Sequence, residues 1–85
     1  MPVYVCHMIS QTRDVVKTFP DIDSAFVHIS DVLMKEGDVT KDEIGGIIDP
    51  VKDIYIKNGH PGNFNVWEIE NDNGELLRMF INEVQ

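Results

Sequence analysis

Eighty-five residues, 42% hydrophobic and 26% charged, describe one small globular domain spanning residues 1 to 85, too short for two cores and too apolar for a disordered tail. Fifteen acidic residues against seven basic ones leave a net charge of −8, which excludes direct binding to DNA, RNA or anionic lipid, because those ligands need a basic face. A single cysteine, Cys6, excludes an internal disulfide, no apolar run approaches a membrane span, and the first ten residues lack the basic start of a secretory leader, so a soluble, cytoplasmic protein is expected.

Val3, Val5 and Ile9 alternate with Tyr4, Cys6 and Met8 in a run rich in β-branched and aromatic residues, which predicts a strand buried in part on both faces. Ser10 to Arg13 make a polar turn, and Val15 to Phe19 form a second strand paired with the first. Pro20 stops that strand, and Asp21 or Asp23 caps a helix by accepting hydrogen bonds from its first amides. Ile22, Ala25, Phe26, Ile29, Val32 and Leu33 recur at helical spacing and form its apolar stripe, with Ser24, His28, Asp31 and Lys35 on the opposite face. Gly37 is expected to end the helix in a left-handed conformation.

Thr40 and Glu43 have the spacing of a capping box, so a second helix begins at about Lys41. Its stripe of Ile44, Ile47, Ile48, Val51, Ile54 and Tyr55 runs straight through Pro50. Two geometries accommodate the proline: a kink, or a new short helix capped by Asp49 with Pro50 as its first residue. Ile54 to Lys57 also fits a strand, and both readings stay open there. Asn58 and Gly59 end the segment, and His60 to Asn63 form a loop. Phe64 to Glu70 and Glu75 to Asn82 then flank Asn71, Asp72, Asn73 and Gly74, a hairpin signal. A loop of Asp72 to Gly74, with Gly74 left-handed in a bulge, pairs Trp67 with Met79, Ile69 with Leu77 and Glu68 with Arg78. The fold class that follows is α+β in the order β-β-α-α-β-β, two helices packed on a four-stranded antiparallel sheet. Phe26, Ile29, Leu33, Ile44, Ile48, Trp67, Met79 and Ile81 are its expected core.

Chemical motifs are weak. Cys6 and His7 are strand neighbours whose side chains point to opposite faces, and His7, His28 and His60 lie on different elements. Asp21, Asp23 and Ser24 start like a calcium loop, but Phe26 and Val32 occupy the positions that need glycine and glutamate. Gly45 and Gly46 fall inside a predicted helix, where they cannot cradle a phosphate. The expectation is a non-enzyme without metal or cofactor; were there a site, Cys6, His28 and His60 would be its first suspects.

Acid clustering is the remaining signal. Residues 20–50 carry eight acidic side chains against Lys35 and Lys41, and residues 68–85 carry five against Arg78. Asp31, Glu36, Asp38, Asp42 and Glu43 in the first stretch, and Glu68 and Glu70 in the second, are the candidate partner-binding residues. Phe80, beside Val66 and Leu76 on the face opposite Trp67, is the candidate apolar anchor. In size and charge, though in no motif, the chain resembles small acidic immunity proteins and phage-encoded inhibitors. Carboxylates gathered on one surface imitate a row of phosphates. The expected function is therefore a non-catalytic inhibitor, encoded by a phage or mobile element, that masks the basic nucleic-acid-binding surface of a partner protein. The alternative is a small homodimeric accessory subunit that associates through Val3 to Ile9, its acid serving solubility alone.

Overall fold

A computed structural model of the chain describes residues 2–11, 14–70 and 73–85. The elements are β1 (Val3–Ile9), β2 (Asp14–Phe19), α1 (Ile22–Glu36), α2 (Lys41–Lys57), β3 (Phe64–Glu70) and β4 (Leu76–Val84). The strands form one antiparallel sheet in the order β2-β1-β4-β3, so the fold class read from the sequence holds. Strands from the two ends of the chain meet at its centre: β1 lies between β2 and β4, where Cys6 opposes Ile81 and Met8 opposes Met79. The homodimer reading placed its contact on Val3 to Ile9, but that strand is interior. The edges are β2 and β3.

Alternation along these strands turns Tyr4, Cys6 and Met8 to the same face as Leu77, Met79 and Ile81. The helices cover this face. The Cys6 thiol donates to the Ala25 carbonyl of α1 at 3.8 Å, and the Tyr55 ring of α2 lies 5.9 Å from Phe26 and 5.2 Å from Phe64. Seven of the eight expected core residues are buried and Ile44 is half-buried; Tyr4, Cys6, Met8 and Tyr55 join them.

α1 starts where the Ser24 amide donates to Asp21 Oδ1 at 2.7 Å and ends at Gly37. Gly37 is not left-handed, with φ at −102°; Asp38 takes that conformation at φ 60°. What requires glycine is space, because a Cβ at Gly37 would stand 2.6 Å from Ile69 Cδ1 and 2.7 Å from Leu33 Cδ1. Of the flank bearing Ser24, His28, Asp31 and Lys35, Asp31 and Lys35 are exposed as expected, while Ser24 and His28 are half-buried. His28 packs on Phe19 of β2 with ring centroids 5.0 Å apart, while Val27 faces outward, 62% exposed.

α2 is a single helix through Pro50 to Lys57, which removes the second short helix and the strand at residues 54–57. The Gly46 carbonyl that Pro50 leaves without a donor lies on an exposed stretch, where water can satisfy it. Ile44, Ile48, Val51 and Tyr55 pack inward, whereas Ile47 and Ile54 are exposed and leave the stripe narrower than expected. In the last hairpin Trp67 pairs with Met79, Glu68 with Arg78 and Ile69 with Leu77, as the spacing predicts. Gly74 is left-handed at φ 79°, while Asp72 of the predicted loop, like Asn71 before it, lies outside the described residues. An irregularity between Asn65 and Trp67 inserts an extra residue into β3. It buries Val66 in the core, so Val66 does not belong to the apolar set expected beside Phe80.

Candidate functional site

Because both helices lie on one side, the other side of the sheet is uncovered. Its residues run in rows across the strands: Val16, His7, Phe80 and Asn65; Asp14, Ile9, Arg78 and Glu68; Thr18, Val5 and Asn82. The second row is acidic at both edges and apolar or basic at its centre. Val16 is 57% exposed and Val84 47%, and Phe80 is half-buried. A shallow cleft of about 280 Å³ opens beside Phe80, bounded by His7, Ile9, Asn63 and Asn82. His7 Nε2 lies 3.7 Å from Asp14 Oδ2 across the β1-β2 pair.

The candidate residues divide into two groups. Glu68, Glu70 and Phe80 belong to the uncovered face by strand alternation, Glu70 opposing Leu76. Glu68 accepts from Arg78 Nε at 2.8 Å, so part of its charge is already met. Asp31, Glu36, Asp38, Asp42 and Glu43 lie along α1, the turn and the first residues of α2. Asp31, Asp38, Asp42 and Glu43 are exposed; Glu36 is half-buried and has a partner of its own. Glu43 Oε1 accepts from the Thr40 hydroxyl at 2.7 Å and the Thr40 amide at 3.2 Å. These bonds hold its carboxyl below the usual range, so Glu43 stays ionised while committed to the cap. The contact of Gly37 with Ile69 brings this helical corner to the β3 end that carries Glu70.

Cys6, His28 and His60 occupy three separate settings. Cys6 is 1% exposed, and burial pushes its thiol up to about 12, where it is a poor nucleophile. Burial first, and then Lys17, press His28 below its ordinary value. His60 Nδ1 lies 2.9 Å from Glu83 Oε2, which also accepts from the Tyr4 hydroxyl at 3.0 Å. The His60 ring stacks on Tyr55 at 5.0 Å. The bonds from His60 and Tyr4 hold Glu83 below the usual glutamate value, while burial and Glu83 raise the Tyr4 hydroxyl. This network fastens the end of β4 to the loop after α2. Sequence spacing could not show it, since Tyr4 and Glu83 are 79 positions apart and meet only because β1 and β4 pair.

No three His, Cys, Asp or Glu side chains among the described residues are grouped to hold a metal ion, and no helix among them is long and apolar enough to cross a membrane. No family model, curated protein or solved structure matches the chain.

Proposed function

We propose that the chain is a non-catalytic acidic binding module that inhibits a basic partner protein by covering its nucleic-acid-binding surface. The observation that carries this reading is the uncovered sheet face, where Leu76 opposes Glu70 and Phe80 lies one row from the Glu68–Arg78 pair with no helix over them. Exposed ion pairs are each worth about 0 to 1 kcal/mol, so charge alone does not make a tight complex. An aromatic anchor that loses its water on docking supplies what the acids lack, and the acids raise the rate of encounter. Phe80 is that anchor, and Glu68 and Glu70 lie on its hairpin side, in register with Arg78 and Leu76. Asp31, Glu36, Asp38, Asp42 and Glu43 act at longer range, where their effect fades as salt rises.

Pull-down of the full chain from its native host at low and high salt tests the proposal. A basic protein retained at low salt, lost at high salt and weakened by Phe80→Ala supports it. Capture that ignores both salt and Phe80→Ala would overturn it.

A homodimeric accessory subunit is the second reading, favoured by one observation: β2 is an edge strand whose Val16 is 57% exposed, and unpaired edges invite pairing. Light scattering decides it. A strict monomer at high concentration removes the dimer and leaves the first reading standing.

A further inference from the structure

α1 crosses the sheet and leaves a groove of about 310 Å³ along the edge strand β2, within the range of small-molecule sites. Its floor is apolar, made by Met8 of β1, Val15 of β2 and Val32 of α1. Its rim carries Lys17 from β2 and Lys35 and His28 from α1, so cationic side chains reach it from two elements. Neither lysine makes an ion pair with another described residue. Lys41 and Lys57 are likewise without an ion pair to a described residue. Two carboxylates also line the groove, Asp31 and Glu36. Glu36 has a partner of its own, and neither lysine is paired with Asp31. The groove thus sets two lysines without ion pairs, and two carboxylates beside them, over an apolar floor.

We propose that this groove binds a small amphiphilic carboxylate, its apolar body on Met8, Val15 and Val32 and its carboxylate between Lys17 and Lys35. An ammonium is a compact charged donor to a carboxylate, and the apolar floor adds the contact that an exposed ion pair alone lacks. His28 closes one side of the groove. Its ring is braced by Phe19 and favours the neutral form, in which it can donate one hydrogen bond to the ligand without adding charge. The site is separate from the uncovered sheet face, although Asp31 and Glu36, which steer the partner proposed above, also line it.

Hexanoate, hexanol and hexylamine, titrated separately into the isotopically labelled full chain at neutral pH, test the proposal by methyl NMR. Hexanoate should give saturable shifts at Val15, Val32 and Met8 with a dissociation constant in the range of about 1 to 10 mM, and hexanol and hexylamine should bind at least about fivefold more weakly. The double substitution Lys17→Gln/Lys35→Gln should weaken hexanoate about tenfold and leave the melting temperature unchanged, because both lysines are exposed. Lys41→Gln/Lys57→Gln, with the same change of net charge elsewhere, should not weaken it. If the Lys17/Lys35 variant fails to fold, salt on the native chain takes its place: hexanoate should bind more weakly as salt rises, and hexanol should not. No saturable shift at Val15 and Val32 up to about 20 mM, equal binding of hexanoate and hexanol, or hexanoate binding indifferent both to the two lysines and to salt would each overturn the assignment.

Discussion

The two faces of the sheet are built by the same strands and in part by the same kinds of residue, yet they meet different surroundings. On the covered face Cys6, Met79 and Ile81 are at most 1% exposed; on the uncovered face Val3, Val16 and Val84 range from 39% to 57%. The covered face gains its stability from close packing, visible where Gly37 leaves no room for a single methyl group beside Ile69 and Leu33. Apolar area on the other face contributes less to folding, because much of it stays in contact with water. A face of that kind has spare hydrophobic surface to give to a partner. The comparison therefore separates residues the fold needs from residues a complex can use.

A matched pair of substitutions tests the comparison most severely. Leu33→Asp places an unpaired charge at a site 1% exposed, at a cost on the order of 5 kcal/mol or more, comparable with the whole stability of a small domain. Val16→Asp adds the same charge at a site 57% exposed and should change stability by less than about 1 kcal/mol. Circular dichroism during urea unfolding reads both. Equal losses would erase the distinction between the faces.

Gly37→Ala sharpens the same contrast within the helical layer. The added Cβ would stand 2.7 Å from the Leu33 carbonyl oxygen, a backbone atom that cannot rotate away, so the helix end must shift at a cost of about 1 to 3 kcal/mol. Gly46 lies in the same layer with nothing within 4 Å of an added Cβ, and Gly46→Ala should stabilise by up to about 1 kcal/mol through helix propensity. Chemical denaturation of both variants checks the signs; a neutral Gly37→Ala would show that the corner yields easily.

Acid titration probes the rim where the covered layer is tied down. Glu83 titrates below the ordinary value of 4.5 in the folded chain, chiefly through His60 and then Tyr4. A depressed folded value means stability that is fully present above pH 4.5 and lost as pH falls through the folded value. Relief of self-repulsion as the other carboxylates protonate acts in the opposite direction, so the comparison with Glu83→Gln isolates the effect. Melting temperatures from pH 7 to 3 should fall less steeply for that variant; parallel curves would mean that the network adds no pH-dependent stability.

Legibility in the sequence followed the range of the interactions. The hairpin register could be read because Trp67, Ile69, Leu77 and Met79 alternate around a turn signal, and α1 because Asp21 and the stripe from Ala25 to Leu33 are close in sequence. Contacts between distant segments were not readable: the central place of β1 depends on its pairing with β4, and the role of Gly37 depends on Ile69. The candidate site shows the same division. Local composition marked the acids and Phe80, but not which of them share a surface. Lys17 and Lys35 carried no signal at all, since only the packing of α1 beside β2 brings them to one groove.

The smallest expected effect lies on the uncovered face itself. Glu68 and Arg78 form a cross-strand pair at 2.8 Å with both side chains 46% exposed, a setting in which such pairs contribute about 0.2 to 1 kcal/mol. A double-mutant cycle with Glu68→Gln and Arg78→Gln should return a coupling in that range and shrink it with added salt. The single substitutions also separate folding from binding. Arg78→Gln frees Glu68 for a basic partner, so it should lower stability slightly while strengthening capture at low salt; Glu68→Gln should weaken both. If Arg78→Gln leaves capture unchanged while Glu68→Gln still lowers stability, then Glu68 serves the sheet alone and the acidic contacts of the complex lie with Glu70 and the helical corner.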